Sequence, residues 1–175
     1  PDVKVISIGM LKPRKDQVVA WRGPMLDRAL VQMLSDVYWG DLDVLLLDLP
    51  PGTGDMAISV GQHLSTAEVL VVTTPQQAAA QVAERAGTMA SMLHQRVVGV
   101  VENMSAFVCP SCDERHAVFG AGGGRTISER GNVPLFGEVP LDPEAVLDTD
   151  EFLPRLSMTG SLRWSGNRPN PPVVI

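Results

Sequence analysis

The chain has 175 residues, 45% of them hydrophobic but only 5% aromatic, so it can bury one aliphatic core of Val, Leu, Ile, Ala and Met. A net charge of −6, with no basic block, disfavours broad electrostatic binding to nucleic acid or an anionic membrane. Two cysteines exclude a disulfide-dense secreted scaffold, and neither a membrane span nor a signal-peptide pattern is visible, so the expected compartment is the cytoplasm.

In chain order, residues 3–8 read as a short strand and residues 10–19, with Lys12, Arg14 and Lys15, as a loop. Pro24 suits a first helical position, and Leu26, Leu30, Met33 and Leu34 then recur at helical spacing. Residues 42–47 are apolar apart from Asp43, the pattern of a strand buried on both faces in a parallel sheet. That strand stops at Asp48, and Pro50, Pro51, Gly52 and Gly54 enforce a tight loop. Ligands of open α/β sheets sit at the carboxyl ends of strands, and an acid delivered there suits Mg²⁺ and phosphate chemistry. The simpler alternative is a turn in which Asp48 caps its own loop.

Residues 58–64 predict a short helix with Asp55 as candidate N-cap. Residues 68–73 predict a second buried strand, 76–93 an Ala-rich helix, and 96–102 a third strand leading to Asn103 and Met104. Residues 107–124 look loop-like. A helix over 125–131, a strand over 135–139 and a helical turn opened by Pro140 follow, and the tail over 162–172 looks extended or disordered. Alternating strands and helices predict a mostly parallel, doubly wound α/β sheet with helices on both faces.

Cys109-Pro110-Ser111-Cys112 brings two thiols to one loop, where they can share a metal or the edge of a cluster. A complete zinc or 4Fe–4S site needs four ligands, and His116 offers at most a third. Four readings stay open: half a cluster site completed by a second subunit, half a zinc site, a redox dithiol, or two structural cysteines. Residues 113–116 give no helix start, which weakens the redox reading. Gly120 to Gly124 lack the lysine and spacing of a phosphate loop, and Asn103 has a bland reading as the turn that closes its strand. His63 and His94 read as surface or satisfied core residues, and Met89 and Met92 as packing.

Several motifs occur in one order: Trp21 to Met25, the run from Trp39 to Asp55, Thr73-Thr74-Pro75-Gln76, Glu102-Asn103-Met104-Ser105, Cys109-Pro110-Ser111-Cys112, Phe119 to Gly124, and Glu138-Val139-Pro140-Leu141-Asp142. Together they resemble the Mrp/ApbC family of nucleotide-binding iron–sulfur carriers, in the MinD/ParA-like branch of P-loop ATPases. The resemblance runs over about residues 3–142 and implies a P-loop NTPase fold. It implies that Asp48 is the catalytic acid positioning Mg²⁺ or its waters, that Asn103 contacts the adenine of ATP, and that Pro140 to Asp142 lie near the base. It further implies a homodimer in which Cys109 and Cys112 of each subunit hold a bridging 4Fe–4S cluster, delivered to apo iron–sulfur proteins under control of ATP hydrolysis.

The sequence departs from the family at one point of consequence. No Gly-Lys-Gly-Gly-Val-Gly-Lys-Ser/Thr loop is present, so residues 1–147 are expected to form a partial P-loop NTPase domain of a fragment or truncated chain. The metal loop spans 104–124, residues 148–175 form a divergent tail, and the sheet is expected to lack a central strand and expose edges. Two other functions fit less of the pattern: a ParA/MinD-like positioning ATPase, and a non-catalytic metal-binding remnant.

Overall fold

The computed structural model describes residues 4–7, 23–142 and 173–174. Ten elements follow one another: α1 (Gly23–Ser35), β1 (Leu45–Leu46), α2 (Asp55–His63), β2 (Glu68–Thr73), α3 (Gln77–Met92), β3 (Arg96–Val108), β4 (Arg115–His116), α4 (Gly123–Gly131), β5 (Leu135–Leu141) and β6 (Val173–Val174). The sheet runs β1-β6-β2-β3, with β5 parallel to β3 and the short β4 antiparallel to the far end of β3. It is an α/β fold with a mostly parallel sheet. Residues 3 and 8–22 of the expected first strand and loop, and the tail over 143–172, lie outside the described residues, while residues 4–7 are not in a strand.

The centre is built where the sequence is most β-branched. Val71 of β2 and Val100 of β3 pack with Ala80 and Ala83 of α3 and Ile127 of α4, and Val69, Val97, Val133 and Leu135 pack against this cluster. Val100 is fully buried, and burying a valine side chain is worth roughly 1.5–3 kcal/mol. Two glycines let elements approach closely. A Cβ on Gly61 would overlap Leu93, and one on Gly99 would overlap the Phe136 ring and the Pro134 carbonyl oxygen.

Elsewhere the structure corrects the sequence. The strand expected over 42–47 shrinks to Leu45–Leu46, and Leu46 is 70% exposed rather than buried on both faces. Its described neighbour on the side of β2 is β6, with which β1 pairs over only two residues. Asp55 is the first helical residue of α2 rather than its cap; Gly54 takes the N-cap place, and its carbonyl accepts the Ala57 N–H at 3.0 Å. The third strand continues six residues past Glu102, and Pro140 and Leu141 extend β5 rather than opening a helical turn. The gap expected in the sheet is bridged only at one end: Val173 and Val174 pair parallel with Leu45 and Leu46, and Val174 pairs with Glu68 of β2, beyond which β2 meets no described strand on that side.

Candidate functional site

Asp48 lies exposed just past the carboxyl end of β1, in a loop whose Gly52 adopts a positive φ of 95°. That loop forms one wall of a cavity of about 600 Å³, and the opposite walls are β2 from Val69 to Thr73, Thr74 beyond it, and the apolar face of α3. Asn103, from β3, lines the same cavity. The fold therefore brings Asp48 and Asn103 together across some fifty residues of sequence. The Asn103 side-chain oxygen accepts the Met104 N–H at 2.9 Å, and Met104, not Asn103, takes the left-handed conformation, with φ 54°. The strand carries on through this kink, so Asn103 does not terminate it.

Pro140 and Asp142 do not line the cavity. They sit exposed at the end of β5, beside Asn103 through the pairing of Asn103 with Val139. The donor set suits a purine edge at Asn103 and a hydrated divalent cation at Asp48. Among the described residues that line the cavity there is no lysine or arginine to neutralise phosphates. The described lining thus offers a side-chain amide and a carboxylate, and does not supply a phosphate cradle.

The two cysteines stand on a β-hairpin that the sequence had suggested only as a loop. β3 runs to Val108, turns through residues 109–114 and returns as β4, with Val108 paired to Arg115 and Phe107 to His116. The turn is closed by backbone bonds of 2.9 Å from the Cys109 N–H to the Glu114 carbonyl and from the Asp113 N–H to the Cys109 carbonyl. Asp113 adopts φ 58° to permit it. Cys109 is half-buried and Cys112 exposed, and both are free thiols. The Cys109 thiol is held below its ordinary value of 9.0 by the backbone N–H of Ser111 first, and then by hydrogen bonding to Cys112. Amides aimed at a sulfur favour thiolate, the form that ligates metals.

His116 turns away from a ligand role. Its ring stacks on Phe107 at 6.5 Å and its Nε2 lies 3.8 Å from Glu114. No group of three or more His, Cys, Asp or Glu able to hold a metal occurs among the described residues. The cysteine pair is half a site. His63, read as a surface or satisfied core residue, bonds to Asp27 at 2.9 Å and ties α2 to α1.

Glu102 is the residue that sequence reasoning missed. It is 2% exposed, and its carboxylate accepts the Gly124 N–H at 2.5 Å, at the start of α4. A charged residue ending a valine-rich run, with a Gly-Gly helix start further on, was the available signal. Ser105, three residues along, has a buried hydroxyl with no hydrogen-bond partner.

The mostly parallel sheet, with an acid carried just past the carboxyl end of β1 beside the cavity, is the architecture of the nucleotide-binding α/β proteins. The chain belongs to the NUBPL iron-transfer P-loop NTPase family, whose model matches residues 1–162. An iron–sulfur cluster carrier protein of Mycobacterium leprae is 59% identical over 159 residues, covering 87% of this chain and 41% of that protein. An Arabidopsis thaliana mitochondrial iron–sulfur protein required for NADH dehydrogenase is 43% identical over 152 residues, covering 87% of this chain and 48% of its own length. A solved nucleotide-binding protein of Archaeoglobus fulgidus, in complex with ADP, superposes with a TM-score of 0.61 at 39% identity, covering 69% of this chain and 50% of that one. The chain spans about half the length of the relatives it matches.

Proposed function

We propose that the chain is the cluster-holding portion of an iron–sulfur cluster carrier, with the cluster as cargo. Cys109 and Cys112 supply two thiolates, and a second copy supplies two more, so that a 4Fe–4S cluster bridges a homodimer and passes to apo iron–sulfur proteins. The observation that carries this reading is the half-site itself. An amide-supported cysteine pair stands at an exposed hairpin tip with no third ligand among the described residues. Clusters of this type take four cysteine ligands, and two such tips satisfy them. The relative named as an iron–sulfur cluster carrier supports the same reading.

The nucleotide end is assigned to Asp48 for Mg²⁺ and Asn103 for adenine, with Pro140 and Asp142 alongside the base. Bound ATP would supply the free energy that switches the carrier between holding and releasing its cargo. This chain's own residues contribute orientation: Asp48 accepts hydrogen bonds from metal-bound water, and Asn103 recognises the base edge. We assign residues 1–147 to the nucleotide-binding domain and 148–175 to a divergent tail whose Val173 and Val174 pair into the sheet. The cytoplasm, which keeps thiols reduced, is the assigned compartment.

Anaerobic reconstitution with iron and sulfide tests the central claim. About four irons per two chains are expected, in a dimer by native mass spectrometry, with the cluster abolished by Cys109→Ala or Cys112→Ala. Unchanged iron in both variants would refute it.

A further inference from the structure

From Glu102 the chain continues along β3, paired with β5 as far as Phe107, kinks at Met104, forms the cysteine hairpin, and returns through residues 117–122 to the start of α4. The arm from Asn103 to Gly123 thus has two roots, the outgoing one also held by its pairing with β5 and by the buried Ser105 and Ala106. The roots meet at a single buried carboxylate. Glu102 is the last residue before the arm, Gly124 is the first after it, and the 2.5 Å bond joins them.

Three observations mark this bond as more than packing. α4 has no cap of its own: Gly122 occupies the N-cap position in the left-handed conformation, with φ 80° and no side-chain cap bond. Glu102 supplies the missing acceptor from another element, at the end of the helix where a negative charge is favoured. The return root is also wedged from the other side, because a Cβ on Gly123 would sit 2.9 Å from the Thr74 carbonyl oxygen and 2.8 Å from that of Pro75. A Cβ on Gly124 would sit 2.8 Å from the Glu102 Cβ. Finally, residue 103, assigned above to the base, is bonded directly to residue 102.

We propose that Glu102 is a positioning residue that clamps the roots of the cysteine arm, and so governs how firmly the two thiolates are presented to the cluster. The inference rests on the cluster reading and deepens it. Closing a long excursion at its base limits the conformations its tip can sample. A buried hydrogen bond to a charged group is among the stronger ones available for this purpose. Losing it frees the arm while leaving the Val71–Val100 core in place.

The test compares wild type, Glu102→Gln and Glu102→Ala in two measurements. In the iron-free chain, amide hydrogen exchange is read at Cys109 and Asp113 of the hairpin turn and at Val71 and Val100 of the core. Glu102→Ala is expected to speed the turn amides about tenfold and to leave the core amides unchanged; the amide variant, which keeps an acceptor oxygen, should fall within about threefold of wild type. In the reconstituted protein, loss of cluster to a ferrous chelator should accelerate in the same order. A general loss of stability would speed turn and core together, and that outcome overturns the clamp. So does unchanged turn exchange in the alanine variant. Should that variant not fold, an amide variant whose turn exchange equals wild type overturns it as well. If wild type takes up no cluster, the carrier reading fails, and the exchange data still decide the clamp.

Discussion

The two sides of the sheet are built to different standards. From β2 through β3 to β5, long strands pair over several residues, α3 and α4 pack on them, and the central valines are buried. From β1 to β6, pairing amounts to two residues, Leu46 is 70% exposed, and a cavity stands where neighbouring strands usually touch. The cysteine hairpin and Glu102 hang from the first side, while Asp48 hangs from the second. The cysteine pair is therefore anchored in the firm half of the molecule, and the cavity shared by Asp48 and Asn103 lies across the boundary.

The sharpest way to break this contrast is a matched pair of truncations. Val100→Ala is expected to cost about 2–3 kcal/mol, from lost burial plus a cavity among well-packed neighbours. Leu46→Ala should cost under about 0.5 kcal/mol in urea unfolding, and equal costs would erase the distinction. Gly123→Ala comes next. It must push α4 away from Thr74 and Pro75, for about 1–3 kcal/mol, visible as lost protection in α4 before β2.

Smaller effects come from titration. The Asp27 carboxyl is held below its ordinary 3.8, chiefly by its hydrogen bond from His63 and then by Ser59. A depressed carboxylate contributes stability above that value and loses it as pH falls through the lowered one. The α1–α2 contact should thus loosen only in strong acid, and Asp27→Asn should remove that step from an NMR titration without touching β3 resonances. The Cys109 thiol is lowered too, from 9.0, so below that pH more of it is thiolate than in an unfolded chain. Alkylation at pH 7 should then be faster at Cys109 in the folded protein than in urea, despite its half-burial. A slower folded rate would contradict the amide support inferred at the turn.

How much was legible depended on whether local pattern and tertiary context agreed. β2 and α3 read almost residue for residue, because an unbroken apolar run and an Ala-rich helical period each carry their own signal. β1 did not, since its apolar run promises burial that only neighbouring elements can supply. The hairpin was illegible because β4 is Arg115 and His116, polar residues that pair through their backbones. The glycine start of α4 defies helix propensity and makes sense only against the carbonyls of Thr74 and Pro75. For the candidate site, the motifs named Asp48, Asn103 and the cysteines. That Asp48 and Asn103 share a cavity, and that His116 faces Phe107, needed the fold. Family membership agrees with the resemblance read from the motifs.

The edge of β2 has a practical consequence. Beyond Glu68, it pairs with no described residue on the side facing β1, and Val72 is 57% exposed. An open apolar edge is a template on which a second copy can add a strand. Two kinds of association are then to be told apart in the proposed carrier: the cluster-bridged dimer, through sulfur and iron at the hairpin tips, and backbone pairing of two copies at the described edge of β2. The first vanishes with a chelator and the second with dilution or mild urea, so a molecular mass alone does not say which has formed.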